Sequence, residues 1–575
     1  MKVVLTVAED FAAPTFLLEG ATSPGTLSGN NVVGRFVACA AFIEAAARHG
    51  TFEYAVCPFN FPDDVSPARE ADWQGLARHL PLPLVRPTSL PTLLGQEKVL
   101  LHELARHRLN RLSYLRHFCA SRPAPITAQL HGMGSGAFVE ELCLTLLCPL
   151  LPDDTIFSSS QAADTALRAA LATAADVLTH GGGKVTRPNV EQVPLGVDTD
   201  YFRPRSKGDA RARLGIDPEE FVFLALGRLS PSDKIDFLPV LRGFRRVVNE
   251  VEHAKRVRLI IAGSDRNDRS GQYVSLLQRS VRDLGLQGHV SVLANFAADD
   301  RLPLFAAADV FLALSDAPGE SFGLTVAEAL CCGLPVVASD WDGYRDHIRH
   351  GVNGFKIPVY WSDQLEHLQA LQFLTTQLQS DLATTQSVAV DIECLIETML
   401  RCVLSPVSML NAMSHEALRA RETYSWRAMI RRHEETWERL ADGREHASVS
   451  RVLPVTNRCH IFRSYPSNTL NPDSLLELTD GGSEKALSGE VVDGHQELAG
   501  TGFSSELIER ILCVLASTGR PMAVSELEAG CGSIGRSQVL WHLLWLIKQG
   551  YIRMHRPVEG CTPPASPPTR LSATR

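Results

Sequence analysis

Short apolar runs alternate with longer helical patterns along much of the 575-residue chain, and this alternation limits the possible folds more than any other feature. It is most regular after residue 220, where helical stretches such as Phe237–Val251 separate the apolar runs. Strands that alternate with helices form parallel sheets flanked by helices, so we expect an α/β protein. The strands predicted in this part are Phe221–Ala225, Val257–Ala262, Val290–Leu293, Val310–Leu314 and Pro335–Ala338.

A similar series of apolar runs and helical patterns precedes residue 220. The helix predicted at Val33–His49 carries apolar residues at helical spacing, and Gly50 ends it. The two series predict two Rossmann-like, doubly wound domains, 1–204 and 205–385, that face a cleft where ligands of open α/β folds bind. The strands predicted in the first domain are Lys2–Val7, Glu53–Cys57, Ile126–Leu130, Thr155–Ser158 and Glu191–Pro194.

The remaining residues divide by composition. Residues 386–444 have a helical pattern, which predicts C-terminal helices that pack on the two domains. Residues 445–500 offer little apolar surface to bury, which predicts a flexible linker. A compact module is predicted at 501–556, and a disordered tail at 557–575. The module's predicted elements are the helices Ser505–Ala516, Ser525–Ala529 and Arg536–Gln549 and the strand Tyr551–Met554.

Charge and hydropathy exclude some classes of protein. A net charge of -9 argues against holding duplex nucleic acid through bulk electrostatics. No uninterrupted apolar run reaches the roughly 18 residues that a transmembrane helix needs, so none is expected. The first apolar run is too short for a signal peptide, because Glu9 and Asp10 follow it. The 13 cysteines include no Cys-x-x-Cys pair, which predicts reduced thiols and a cytoplasmic protein.

Two acidic residues occur in the stretch 316–330, where a predicted strand ends and a helix begins. Glu320 lies at the turn, and Glu328 lies about two helical turns later. The backbone N–H groups of residues 321–324 open the helix, and a helix start suits a phosphate. The stretch therefore predicts a site for a nucleoside diphosphate. The alternative is that Glu320 is an ordinary helix-start acid and Glu328 a solvated carboxylate.

A basic loop follows the first strand of the second domain. It contains Gly227 and Arg228, with Lys234 six residues after the arginine. An arginine forks onto phosphate oxygens and a lysine supplies a compact charge, so both can stabilise a leaving diphosphate. The alternative is a basic loop without such a role.

Together these stretches resemble the retaining glycosyltransferases of family 4, which have the two-domain GT-B fold. The resemblance rests on five matches: Glu320 with Glu328, Gly227-Arg228 with Lys234, Ala262-Gly263, the stretch 332–338, and 193–198 followed by Phe202-Arg203-Pro204.

The resemblance implies roles for individual residues. Arg228 and Lys234 would contact the donor diphosphate, Glu320 the sugar hydroxyls and Glu328 the ribose hydroxyls. The resemblance also implies that the enzyme uses a nucleotide sugar as its donor substrate, keeps the anomeric configuration of the sugar and needs no metal or other cofactor. The implied catalytic residues are Glu320, Arg228, Lys234 and His131, and the implied donor-binding residues are Glu328, Ser321, Phe322, Gly323, Leu324, Gly227, Gly263 and Gly29.

The first domain resembles the family less. His131 follows a predicted strand, where a family histidine lines the donor-sugar site; the alternative is a histidine that caps the next turn. The first loop lacks the Gly-Gly pair usual in the family, and Gly29 is the glycine that we assign to the donor site. The stretch 340–346 either shapes donor selection or serves packing.

The C-terminal module resembles a winged-helix domain. Residues 506–556 carry six Arg or Lys against four Glu, and so small a positive surplus argues against DNA binding. In its third helix we assign Val539, Leu540, Leu543, Leu544 and Ile547 to the core. Trp541 and Trp545 would present an aromatic surface to a protein partner. The alternative is that both tryptophans complete the module's own core.

The leading hypothesis is therefore a cytoplasmic enzyme that transfers a sugar from a nucleotide sugar to a carbohydrate, lipid or protein acceptor. Peripheral association with a membrane stays open. So do two alternatives: a nucleotide-sugar epimerase or phosphorylase of the same fold, and a regulator or scaffold that senses a nucleotide sugar and acts through its C-terminal module.

Overall fold

A computed structural model describes most of the chain, in two compact units. One unit comprises Met1–Phe61 and Asp72–Leu453, and the other comprises Pro62–Ala71 and Pro454–Arg575. Gly29, the tail 557–575 and most of the expected linker lie outside the described residues. The described residues are 1–7, 34–58, 78, 80–107, 109–120, 124–134, 138–180, 184–251, 255–265, 272–317, 319–362, 365–441, 470–480, 504–532 and 534–555.

The first unit begins with a parallel sheet of six strands in the order β2-β1-β3-β4-β5-β6. The strands are β1 Lys2–Val7, β2 Glu53–Pro58, β3 Val99–Glu103, β4 Ile126–Gln129, β5 Thr155–Ser158 and β6 Asn189–Gln192. Sequence analysis missed β3, because its apolar run is followed by His102 and Glu103. Both side chains are buried, and His102 Nδ1 lies 2.8 Å from Thr127 Oγ1.

A second parallel sheet of six strands has the order β12-β11-β10-β7-β8-β9. The strands are β7 Phe221–Leu226, β8 Val257–Gly263, β9 Val290–Ala294, β10 Val310–Ala313, β11 Val336–Ser339 and β12 Gly354–Ile357. Every residue of β7 is buried, as expected for a central strand that helices cover on both faces. The chain turns back across the sheet between β7 and β10, which is its topological switch point.

Helices cover both sheets. The helices beside the first sheet are Gly34–His49, Leu90–Gln96, Asn110–Cys119, Phe138–Leu146 and Gln161–Thr179, with a 3-10 turn at Pro87–Ser89. Those of the second are Lys207–Leu214, Phe237–Val251, Gln272–Asp283, Arg301–Ala307, Leu324–Cys331 and Tyr344–His347, with a 3-10 turn at Ala298–Asp300.

The chain after the second sheet returns to the first. Ile392–Leu404 buries Leu395, Ile396 and Met399 in a core of the second sheet, whereas Trp426–Ala441 buries Trp426 and Trp437 in a core of the first. The other elements of this stretch are the helices Glu366–Leu374, Gln377–Thr385, Val407–Ala417 and Ala420–Tyr424 and the antiparallel strands β13 Val359–Tyr360 and β14 Ala389–Val390.

One buried carboxylate fixes the returning helix to the first sheet. Glu434 Oε1 accepts hydrogen bonds from the Thr51 N–H at 2.6 Å, the Phe52 N–H at 3.3 Å and the Tyr54 hydroxyl at 2.8 Å. Its other oxygen accepts from Thr51 Oγ1 at 3.0 Å. Tyr54 is buried, whereas Thr51 is exposed and Phe52 is half-buried, so removing the carboxylate is most costly at the Tyr54 hydroxyl.

The second unit contains three antiparallel strands in the order β16-β15-β17. They are β15 Leu475–Leu478, β16 Met522–Ala523 and β17 Ile552–Met554. The helices that the structure describes in this unit are Ser505–Thr518, Val524–Gly530 and Arg536–Lys548. β15 lies inside the stretch that we expected to be a linker, so that expectation is wrong for 475–478. Leu476 is fully buried in the unit's core, which supplies the apolar contact that favours a strand here.

The third helix of this unit buries a different face from the one that we predicted. Leu544, which we assigned to the core, is 52% exposed, whereas Trp545 is only 8% exposed. The Trp545 ring stacks on Tyr551, with 6.2 Å between the ring centroids. Trp545 therefore belongs to the core and does not present an aromatic surface to a partner, and a role for Trp541 in partner binding stays a prediction.

Within the residues that the structure describes, no helix combines the length and apolar character needed to cross a lipid bilayer.

We predict that Glu434→Ala lowers the free energy of unfolding by about 3 kcal/mol, because it removes four hydrogen bonds to a charged group, one of them from the buried Tyr54 hydroxyl. Tyr54→Phe removes one of those donors and should cost about 1 kcal/mol. Urea denaturation followed by tryptophan fluorescence measures both. Glu435→Ala is the matched control: its exposed side chain pairs with Arg431, and its loss should cost no more than about 0.5 kcal/mol. Equal losses for Glu434→Ala and Glu435→Ala would contradict this account.

Candidate active site

Two loops that sequence analysis singled out meet at the switch point of the second sheet. The loop 227–236 follows β7, and the loop 314–323 follows β10, the neighbouring strand. The ammonium of Lys234 forms an ion pair with the carboxylate of Glu320. The structure thus places together two predicted site residues that are 86 positions apart in the chain.

Lys234 is largely enclosed, with 14% of its side chain exposed. Its stem passes over Gly227, because a Cβ on that glycine would lie 3.5 Å from Lys234 Cε. Burial, followed by the charge of Arg228, lowers the pKa of Lys234. The carboxylates of Asp233 and Asp342 oppose this shift, because a nearby negative charge favours the charged ammonium. Lys234 therefore supplies a partly desolvated positive charge at the end of the sheet.

Arg228 and the two predicted glycines complete this loop. The Arg228 guanidinium forms an ion pair with Asp233 of the same loop, so it is held beside Lys234. A Cβ on Gly263 would overlap the carbonyl oxygen of Gly227. This close approach of the loops after β7 and β8 explains why position 263 requires glycine, whatever its role toward a ligand.

The loop that carries Glu320 is in contact with the first sheet. Ser321 Oγ donates to the carbonyl oxygen of His131 at 2.7 Å, and Ser159 Oγ donates to the carbonyl oxygen of Ser321 at 3.0 Å. Cβ atoms on Gly132 or Gly134 would lie 3.2 Å from backbone atoms of Gly319. The carboxyl ends of both sheets therefore meet at residues 319–321.

The helix that follows begins at Leu324 and is capped by Gly323. Gly323 has a φ of 88°, and a side chain there would also overlap the ring of Tyr344. Its N–H donates to Glu320 Oε1 at 2.9 Å. Sequence analysis expected this N–H to be among the unpaired groups of the helix start, and it is instead bonded to Glu320. Glu320 thus contacts both the helix start and Lys234.

Phe322 is buried below this turn. Its ring packs edge-on against His347 at 4.6 Å and Tyr424 at 5.6 Å between centroids. His347 Nε2 donates to the Phe322 carbonyl oxygen at 2.6 Å, and His347 Nδ1 lies 2.9 Å from the Tyr424 hydroxyl. Burial lowers the pKa of His347 to about 4, so it is neutral at pH 7. Sequence analysis missed this support, because the partners come from three distant segments.

Glu328 is buried and not solvated, which excludes the alternative weighed for it. Its side chain is 3% exposed, and Arg301 Nη2 lies 2.6 Å from Glu328 Oε2. Burial raises the pKa of Glu328, while the charge of Arg301 opposes that shift. Arg301 was not predicted as a site residue, because a single arginine at a helix start carries no distinguishing pattern.

His131 lies at the carboxyl end of β4, as predicted. Its Nε2 lies 2.6 Å from the Leu104 carbonyl oxygen, so the ring is oriented toward the loop after β3. The bond fixes the proton on Nε2, because a carbonyl oxygen can only accept. The predicted contact of His131 with a donor sugar stays a prediction.

Two further carboxyl groups lie near Lys234. Asp316 is 7% exposed, and burial raises its pKa to about 7. Asp342, in the stretch 340–346, has a φ of 46°, and burial raises its pKa as well, opposed in part by Lys234. Among the residues covered by the structure, no group of three or more His, Cys, Asp or Glu is arranged to hold a metal ion. That the reaction needs no metal stays a prediction.

Comparison with known proteins agrees with this geometry. Residues 206–379 match the family model of glycosyl transferases group 1. This segment contains both loops and the helix that bears Glu328. The D-inositol 3-phosphate glycosyltransferase of Mycobacterium tuberculosis is 33% identical over 186 residues, which is 32% of this chain and 36% of that protein. The chain thus aligns with about a third of the length of that relative.

Solved structures show the fold of the larger unit. The Anabaena protein Alr3699/HepE, solved in complex with UDP, aligns with 76% of this chain and 100% of its own, with a TM-score of 0.50 and 18% identity. Sucrose-phosphate synthase from Thermosynechococcus elongatus aligns with 76% of this chain and 99% of its own, with a TM-score of 0.50 and 14% identity. The predicted GT-B fold is therefore confirmed; the winged-helix form of the C-terminal module stays a prediction.

We predict that Asp316→Asn changes the pH dependence of stability. Folded Asp316 keeps its proton up to about pH 7, whereas an unfolded Asp loses it near pH 3.9, so the wild type loses stability as pH rises between these values. Asparagine cannot ionise. The advantage of the variant over the wild type should grow by about 3 kcal/mol from pH 5 to pH 8.

Urea denaturation at both pH values measures this difference. Asp299→Asn, at an exposed acid, is the control and should show no such growth. An Asp316→Asn advantage that is the same at both pH values would contradict the assignment.

Proposed function

We propose that the chain is a retaining glycosyltransferase that transfers a sugar from a nucleoside-diphosphate sugar to an acceptor without a metal. The observation that supports this most strongly is the meeting of Lys234, Glu320 and a helix start at the switch point of the second sheet. These groups lie in the segment that matches glycosyl transferases group 1. A relative that is 33% identical over 186 residues is named as a glycosyltransferase.

The charges suit the departure of a diphosphate. Lys234 and Arg228 are held beside each other, and the helix start at Leu324 adds the positive end of a dipole. Positive groups that are already in place where negative charge develops lower the barrier, because they need not reorganise during the reaction. A donor phosphate would replace Glu320 as the partner of Lys234, which releases the carboxylate to accept from sugar hydroxyls.

Glu328 is suited to bind the ribose of the donor nucleotide. A carboxylate can accept from two neighbouring hydroxyl groups, and Arg301, which opposes the rise in the pKa of Glu328, holds that carboxylate in a fixed orientation. UDP is the first nucleotide to test, since UDP is bound in the Anabaena structure of the same fold. The proposal extends neither to the sugar nor to the acceptor.

We predict that one of the UDP-, GDP- and ADP-sugars raises the melting temperature and is slowly hydrolysed in metal-free buffer. Lys234→Ala should weaken binding of the matching nucleoside diphosphate about 10- to 100-fold, because it removes a charge-assisted contact. Glu320→Gln should keep nucleotide binding within about threefold but lower hydrolysis at least about 100-fold, because it acts on the sugar. Thermal shift, calorimetry and sugar release measure these effects.

The matched controls are Lys184→Ala and Glu219→Gln, which change exposed residues by the same charge and should behave as the wild type. No response to any donor, or equal losses in the controls, would overturn the proposal. Interconversion of donor sugars would indicate an epimerase, and binding without any turnover would indicate a sensor. Proton NMR of the released sugar tests retention: the anomer formed first should have the donor's configuration.

A further inference from the structure

A cavity of about 250 Å³ lies at the amino-terminal edge of the second sheet. Phe221 begins β7, Asp309 directly precedes β10 and Pro335 directly precedes β11, and all three line this cavity. The candidate active site lies at the opposite edge, and a strand of six residues such as β7 spans about 20 Å. The cavity is therefore separate from the site of the proposed function.

The cavity is lined by more positive than negative charge. Four cationic side chains line it, and Asp309 is the one acidic residue among the described lining residues. The cations are Arg203, Arg205, Lys207 and Lys255.

Asp309 is already neutralised by its neighbours. It forms an ion pair with Lys207, and its Oδ2 accepts from Arg211 Nη2 at 2.8 Å and from the Val222 N–H at 2.7 Å. Among the described lining residues, no second carboxylate is therefore present to pair with Arg203, Arg205 or Lys255.

Arg203 and Arg205 form no ion pair with any residue that the structure describes. Lys255 has an aromatic contact, with its Nζ 5.1 Å from the centroid of the Phe221 ring. Two arginines that line the same cavity are suited to a phosphate, because each guanidinium can donate two parallel hydrogen bonds to its oxygens. The charge of the cavity thus favours a phosphate-bearing ligand.

The rest of the wall favours an organic group attached to that phosphate. Leu302, Phe305, Leu334 and Leu410 provide apolar surface, and Asn411 adds an amide. Ligand pockets for small molecules begin near about 300 Å³, and one water occupies about 30 Å³. The volume therefore suits a molecule the size of a phosphorylated monosaccharide better than inorganic phosphate alone.

We propose that this cavity binds a small, soluble phosphate ester, with its phosphate on Arg203 and Arg205 and its body against the apolar wall. This site does not depend on the proposed glycosyl transfer.

The test is calorimetric titration of the full-length protein with glucose 6-phosphate and with inorganic phosphate. The variants are Arg203→Gln with Arg205→Gln, and a control with the same change of charge, Arg279→Gln with Arg282→Gln, on the exposed face of another helix. Lys234→Ala is included because it changes the active site and leaves the cavity intact. Flotation with phosphatidylglycerol vesicles tests a lipid headgroup as the source of the phosphate.

We expect glucose 6-phosphate to bind more tightly than inorganic phosphate and to lose at least about tenfold in affinity in the Arg203 and Arg205 variant. The control and Lys234→Ala should bind it as the wild type does, and the vesicles should not carry the protein. No binding of glucose 6-phosphate, or an equal loss in the control or in Lys234→Ala, would overturn the proposal, as would arginine-dependent vesicle binding alone. A parallel titration with UDP separates the two sites, because its failure counts only against the proposed function.

Discussion

The candidate site depends on the position of residues 319–323, which both sheets of the larger unit hold in place. The hydrogen bonds of Ser321 with His131 and Ser159 attach this loop to the first sheet. On the side of the second sheet, Gly323 packs against the ring of Tyr344, and the Phe322 carbonyl oxygen accepts a hydrogen bond from His347. Because Glu320 and the helix start lie within this loop, a shift of either sheet would move the groups that face a donor.

The returning helix explains how the first sheet keeps its position relative to that loop. Trp426–Ala441 leaves the second sheet and is buried in the core of the first through Trp437 and Glu434. Asp346 adds a polar link, since its Oδ2 accepts from the Gln161 N–H at 2.6 Å and lies 3.2 Å from Gln192 Nε2. A buried helix and a few short hydrogen bonds together define the cleft, so the site depends on contacts far from its charges.

The sequence was sufficient where one local pattern decides the structure. β7 is apolar on both faces, and its neighbour at the switch point carries the second loop, so the meeting of Lys234 and Glu320 follows from topology. β3 and β12 were missed, because each is short and includes polar residues. Arg301, His347 and Ser159 were missed because their partners are distant in the chain.

The C-terminal module shows a different limit. Leu544 and Trp545 are adjacent in one helix that has apolar residues on several sides, so helical spacing cannot decide which of them faces the core. Packing of Trp545 on Tyr551, which follows the helix, decides it. Similarly, the strand at 475–478 is stabilised by partners that lie more than 40 residues further along the chain, so local composition predicted a linker.

A crystal structure of the protein with the nucleoside diphosphate that binds it would test the central claim most directly. The account predicts the distal phosphate at Lys234 and the amides that open the helix at Leu324, and the ribose hydroxyls at Glu328. Glu320 should then have left Lys234 and face the space for the sugar. A nucleotide bound elsewhere, or one bound with the Lys234 and Glu320 ion pair intact, would contradict it.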